Sequence, residues 1–167
     1  MKIQHEAIVR KVAKYFQDNN FQVYAHLKGW APQPPKLPSG HKSDILAFRK
    51  DRGWHKTRLL LVEIKTCDYI QGSDNKRQIE EFAHAVDEVR KTYADYYSAG
   101  LLVVPEECFQ KGLELIYQDR VLYRLGTTVF TIMSVRVSGE RRPRVTILQG
   151  EWENDINRWL RLRDIGG

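Results

Sequence analysis

The stretch LLLVEI, residues 59–64, constrains this chain more than any other. Its five apolar residues show none of the apolar–polar alternation of a half-covered strand, so it reads as a strand buried on both faces. Such a strand needs one layer of structure above it and another below. The run also holds one acid, Glu63. An ionised carboxylate is costly to bury unless it is paired or binds something. The segment is therefore both a core element and a candidate site.

Its neighbours complete a hairpin. Ser43 to Lys50 reads as a strand, Asp51-Arg52-Gly53 as a turn, and Arg58 to Lys65 as the returning strand. Asp44 opens the first strand and Glu63 sits near the end of the second, with the turn about midway between them. Antiparallel pairing then brings both acids to one end of the sheet, close together. Alternation along the strand puts Glu63 and Lys65 on one face and turns Ile64 the other way.

The rest of the chain supplies the covering layers. Ile3, Ile8, Val12, Tyr15 and Phe16 recur at helical spacing over residues 2–18, and Asp18-Asn19-Asn20 ends that helix. Residues 21–27 alternate, with Phe21, Val23, Ala25 and Leu27 on one face. Residues 28–42 carry four of the six prolines and read as a long loop, a type of segment that often has a function. A helix follows over 74–97, started by Ser73 or Asp74, with Ile79, Phe82, Ala83, Val86, Val89 and Tyr93 inward. GLLVVP (100–105) is a second buried strand, and 106–117 suits a short helix. Two or three strands come next, around 119–125, 128–137 and 143–149, with a turn over 138–143. A closing helix spans 151–163, with Trp152, Ile156, Trp159 and Leu160 on one side. This order predicts an α/β fold, a central mixed sheet flanked by helices on both sides. The chain is expected to form a single domain over 1–167, with a core at about 1–105 and an elaboration at about 106–167.

Composition narrows the function classes. The 167 residues are 42% hydrophobic and 29% charged, a globular balance, and no apolar run approaches the roughly 18 residues of a membrane span. The N-terminus is too polar for a secretory signal. Cys67 and Cys108 have neither metal-site spacing nor the density of a disulfide framework, so free thiols in a reducing, cytoplasmic setting are expected. A net charge of +6 and a pI near 9.3 favour a polyanionic partner.

The acids suggest a chemistry. Two carboxylates on one rim can hold Mg²⁺, which prefers oxygen donors and keeps several waters, and Mn²⁺ is expected to substitute. The carbonyl of Ile64 is a candidate third oxygen. A metal held there would polarise a phosphodiester and lower the pKa of bound water. Lys65 is placed to orient that water or to stabilise negative charge on the phosphorus oxygens. Taken alone, E-x-K also reads as an ion pair at a strand end. The full pattern goes further: an acid opens one strand, E-x-K closes the next, and a helix precedes both.

GHKSDILAF…LLLVEIKT resembles the PD-(D/E)XK nuclease superfamily, which includes Holliday junction resolvases, restriction endonucleases and RecB-like exonucleases. The family aspartate falls on Asp44, the glutamate on Glu63 and the lysine on Lys65. Ser43 stands where the motif proline is usual. The resemblance implies a restriction-endonuclease-like core, a divalent metal and a DNA substrate. It also implies a metal-binding acid on the first helix, for which Glu6 is the candidate, and a glutamine on the helix after the motif, for which Gln78 is. Resolvase relatives suggest a possible homodimer. The implied activity is metal-dependent endo- or exonucleolytic hydrolysis of DNA. The alternative is a catalytically inactive nucleic-acid-binding protein of the same fold.

Several other residues are candidates for nucleic-acid contact. His41 and Lys42 precede Asp44, and Lys76 and Arg77 open the following helix. Arg136, Arg141, Arg142 and Arg144 surround a turn. Trp30 and Trp54, on loops taken to flank the site, are candidates for stacking on a base. His5, His41, His55 and His84 show no metal spacing.

Overall fold

The computed structural model describes residues 2–118 and 129–161. Helix α1 is Lys2–Asp18, β1 Gln22–Ala25, β2 Ile45–Arg49 and β3 Arg58–Ile64. Then come α2 (Cys67–Gln71), α3 (Asn75–Thr92) and β4 (Tyr97–Pro105). A 3₁₀ turn (Glu106–Cys108), α4 (Phe109–Gln118), β5 (Val129–Ser138), β6 (Arg144–Ile147) and α5 (Glu151–Leu160) complete the described chain. The strand expected over 119–125, and the last residues expected in the closing helix, lie outside the described residues.

The strands form one mixed sheet in the order β1-β2-β3-β4-β5-β6. The pairs β1–β2, β2–β3 and β5–β6 are antiparallel, while β3–β4 and β4–β5 are parallel. Parallel neighbours require a crossover, and α3 supplies the one between β3 and β4. Every residue of β3 is buried, as expected for its apolar run.

Alternation along β3 sorts its side chains between two cores. Leu60, Val62 and Ile64 pack with Ile8, Val9, Val12 and Phe16 of α1 and with Trp152, Ile156 and Trp159 of α5. Leu59 and Leu61 pack with Ile79, Phe82 and Val86 of α3 and with Leu115 of α4. At roughly 1.5–3 kcal/mol for each large buried side chain, these two layers are the main source of stability. By the same alternation Glu63 belongs to the α3 face.

Two expectations about elements change. Helix α3 ends at Thr92 rather than near 97, because Tyr93 leaves helical geometry at φ −113°, ψ 58°. Tyr93 and Tyr96 then stack on one another and pack edge-on against Phe48, while Tyr97 begins β4. The short helix α2 had no sequence signal, since five residues are too few to show a period. Asp74 does stand at the N-cap of α3, but its carboxylate pairs with Arg77 rather than with a backbone N–H.

The cysteines are a correction. Cys67 at the start of α2 and Cys108 in the 3₁₀ turn form a disulfide, although they are 41 residues apart in sequence. Spacing alone could not show this. The parallel pairing of β3 with β4 carries both strand ends to one edge of the sheet, and the residues just past those ends meet there. The argument from free thiols to a reducing compartment is thereby lost. Among the described residues no helix is long and apolar enough to cross a membrane.

Candidate active site

The register of the hairpin places the acids. Ile45 pairs with Val62, so one step further Asp44 stands opposite Glu63. Directly opposed residues bring their Cβ atoms to within about 5 Å. Asp44 Oδ2 also accepts the backbone N–H of Ile64 at 2.9 Å, which fixes its carboxylate against the end of β3. Lys65, two residues after Glu63 and on the same face, donates from Nζ to Oε1 of Gln78 on α3 at 3.0 Å. The Lys65 ammonium also lies over the Tyr69 ring, 5.5 Å from its centroid. Asp44, Glu63, Ile64, Lys65 and Tyr69 line one cleft of about 400 Å³, together with His5 and His41.

Two histidines thus line the cleft: His41, named from the sequence only as a candidate for nucleic-acid contact, and His5, which had no site role there. His5 Nε2 lies 3.5 Å from Asp44 Oδ2. His41 Nε2 lies 2.5 Å from Glu63 Oε1. His5 occupies the turn before Ile8 and Val9, so the buried face of α1 carries it toward the sheet. His41 is delivered by the proline-rich loop, which is pinned at several points. Leu37 is buried and its N–H bonds to the His41 carbonyl. Gly40 turns the chain at φ 88°, where an L side chain would be strained. Ser39 donates to Glu88 of α3 through both its N–H and its hydroxyl.

Glu6, the expected metal ligand of the first helix, is exposed and does not line the cleft. Successive helical residues are about 100° apart, so the turn of α1 that aims His5 at Asp44 aims Glu6 away. Gln78, by contrast, is buried against Lys65. Trp54 lies at the opposite end of the hairpin, where the guanidinium groups of Arg49 and Arg58 pack over its ring. Trp30 packs on the α1-side core and donates to the Val23 carbonyl. Arg77 is engaged by Asp74 and Glu81, and Arg136 by Glu106. Ser43, in the usual place of the motif proline, is fully buried with its hydroxyl unbonded among the described residues.

The electrostatics of the cleft are unequal. Burial pushes Glu63 up to about 7; the hydrogen bond from His41 opposes this and the Asp44 charge adds to it. Burial also acts upward on Asp44, but His5, the Ile64 N–H and Glu63 together outweigh it and hold Asp44 below the usual carboxylate range. Both imidazoles are raised, His5 chiefly by its bond to Asp44 and His41 chiefly by its bond to Glu63. The cleft thus favours the ionised form of Asp44 and the protonated form of Glu63.

The donor chemistry suits a hard cation. Two carboxylates face each other, and the extended strand puts the Ile64 carbonyl on the same side as the N–H that meets Asp44. Mg²⁺ is bound through one or two carboxylates plus waters rather than by a complete protein cage. Among the described residues no three His, Cys, Asp or Glu side chains are grouped so that they could hold a metal ion. Each acid is instead turned onto an imidazole.

No protein-family model matches the chain, and neither does any curated protein. Among solved structures it is similar to an XisH family protein from Nostoc punctiforme, at 14% identity and a TM-score of 0.44, over 86% of this chain and 96% of that one.

Proposed function

We propose that this protein is a divalent-metal-dependent deoxyribonuclease of the PD-(D/E)XK type that hydrolyses phosphodiester bonds. The observation that carries the proposal is the meeting of Asp44, Glu63 and Lys65 in one cleft at the end of the β2–β3 hairpin. An acid pair with a lysine on the same rim supplies both parts of the chemistry: a seat for a cation and a fixed positive charge beside it. The net charge of +6 favours a phosphodiester polymer as partner.

Asp44, Glu63 and the Ile64 carbonyl would hold Mg²⁺ or Mn²⁺. The metal would polarise the phosphodiester and make a bound water more acidic. Lys65 contributes a positive charge where charge develops on the phosphorus oxygens. Gln78 fixes the Lys65 ammonium from the α3 side and leaves its remaining donors for substrate or water. His41 lies against Glu63 and is available to accept the proton that leaves that carboxyl. No role for Glu6 is proposed, and a homodimer is left as an outcome of sizing the protein on DNA.

The test is cleavage of plasmid, linear and branched DNA with Mg²⁺ or Mn²⁺ and its loss in EDTA. Asp44→Asn and Lys65→Ala should fold and bind DNA but not cut. Salt-sensitive binding with no cleavage under any divalent metal would replace this reading with an inactive DNA-binding protein. Cleavage by both variants at the wild-type rate would overturn the site.

A further inference from the structure

A second cleft lies at the other end of the same sheet. Asp44 directly precedes β2, and Arg49 is its last residue. The two ends are thus five strand residues apart, roughly 16 Å at ~3.3 Å per residue. This cleft has a volume of about 420 Å³ and shares no lining residue with the first. Four aromatic residues form its walls: Tyr24, Phe48, Tyr93 and Tyr96. The Phe48 ring sits centrally, 5.3 Å from the Tyr24 ring and 5.9 Å from each of Tyr93 and Tyr96.

The charged groups that line the cleft have one sign, beside the neutral Asn20, Gln22 and Thr57. Arg49 and Lys50 line it, and no Asp or Glu does. Arg49 is engaged by Asp51, but Lys50 is exposed and makes no ion pair among the described residues. The three phenols belong to one neighbourhood, since the Tyr93 hydroxyl is raised by burial and then by Tyr24 and Tyr96. None of the three donates a hydrogen bond among the described residues. A half-buried aromatic cluster with unused hydroxyl donors and a free cation is suited to an anion that also carries a ring. The absence of acidic lining disfavours a cationic guest of the kind that aromatic cages take. The volume falls in the range of small-ligand sites.

We propose that this cleft binds one nucleoside monophosphate unit, with the base against the tyrosine and phenylalanine rings and the phosphate at Lys50 and the phenol hydroxyls. The same chemistry is presented by a free nucleotide and by one residue of a single strand. The inference does not depend on the nuclease reading.

The test is calorimetric titration of the full chain in EDTA with adenosine monophosphate, adenosine, inorganic phosphate and a short oligodeoxyadenylate. The monophosphate should saturate, and adenosine and phosphate should each bind at least about tenfold more weakly. Lys50→Ala is exposed, and the double change Tyr93→Phe, Tyr96→Phe keeps both rings, so both variants retain the packing. Each should weaken binding by about tenfold, whereas Asp44→Asn should leave it unchanged. If the oligonucleotide binds more tightly than the free nucleotide and both respond to Lys50→Ala, the source is a strand; the reverse order identifies the free nucleotide. No saturation by either ligand at about 5 mM would overturn the proposal. Binding lost in Asp44→Asn but kept in Lys50→Ala would overturn it too, and would move the ligand to the other cleft.

Discussion

His41 Nε2 lies 2.5 Å from Oε1 of Glu63, inside the cleft where that carboxylate would have to open toward a cation. A metal that takes Glu63 must displace the proton that burial favours on that carboxyl. Glu63 holds its proton up to about 7, and His41 is raised above its ordinary value by the same bond. Affinity for Mn²⁺ should therefore be weak at pH 6 and rise toward pH 8, by about tenfold per pH unit for each proton displaced. Titration in two buffers of different ionisation enthalpy would count those protons. A constant affinity across this range would show that Glu63 is not a ligand.

The same pair sets how stability depends on pH without metal. A carboxyl raised from 4.5 to about 7 on folding binds its proton more tightly in the folded state. Its contribution is complete below 4.5 and is lost as the pH rises to about 7. His41, also raised, loses its contribution as the pH rises from 6.5 through its folded value. Both act in one direction, so stability of metal-free protein should fall between pH 4.5 and 7.5, by about 3 kcal/mol at most for Glu63. Glu63→Gln should flatten the curve. Urea denaturation at a series of pH values in EDTA would measure it.

Lys65 and Gln78 offer a separation of chemistry from folding. The Lys65 ammonium is only partly buried and its partner is one amide oxygen. Lys65→Ala should reduce cleavage by about 10²–10³-fold, the magnitude for loss of one charge-stabilising donor, and change stability by less than about 1 kcal/mol. Gln78→Ala frees the ammonium without removing it and should cost less activity. Gln78→Glu should retain the contact as a charge pair and lower the reactivity of Lys65 further than Gln78→Ala does. Single-turnover cleavage rates together with thermal melts would check all three.

What the sequence could convey about this site follows from periodicity. LLLVEI announces a strand buried on both faces, and the hairpin turn places Asp44 opposite Glu63 from the sequence alone. Both are local signals with a period of two. His5 and His41 are different. His5 sits four residues before Val9 on the inward stripe of α1, a position that could have been read as facing the sheet. Its partner, however, depends on how α1 lies across β2. His41 depends on a fifteen-residue loop whose path is set by the Ser39–Glu88 bonds and a buried Leu37, none of which leaves a pattern in the sequence. The disulfide was hidden for the same reason: parallel pairing of β3 and β4 brings together segments 41 residues apart.

The turn of α1 distinguishes His5 from Glu6. His5 reaches Asp44, whereas Glu6 points to solvent. Glu6→Ala should therefore leave both Mn²⁺ affinity and cleavage within about twofold of wild type, because a solvated acid contributes little at this distance. His5→Ala should raise the Asp44 carboxyl toward its ordinary value, since the imidazole is the largest of the groups holding it down. Following the Asp44 carboxyl carbon by NMR across acidic pH would show that shift. A loss of metal binding in Glu6→Ala would restore the acid of the first helix to the site.

The Cys67–Cys108 bridge ties α2 to the 3₁₀ turn and so joins the segments that follow β3 and β4. Closing a loop of this length restricts the unfolded chain by about 4 kcal/mol in the chain-entropy model. Reduction with dithiothreitol, or the double change Cys67→Ser, Cys108→Ser, should lower stability by up to that amount. Cys108 is buried, and a hydroxyl in its place loses apolar contact as well, so reduction is the cleaner measurement. Lys65 and Thr66 lie directly before Cys67, so the bridge also anchors the chain that leaves the cleft. Reduced protein should then lose cleavage activity in parallel with local hydrogen-exchange protection at residues 65–71, while β3 stays protected. Unchanged protection there after reduction would confine the bridge to global stability and separate it from the site.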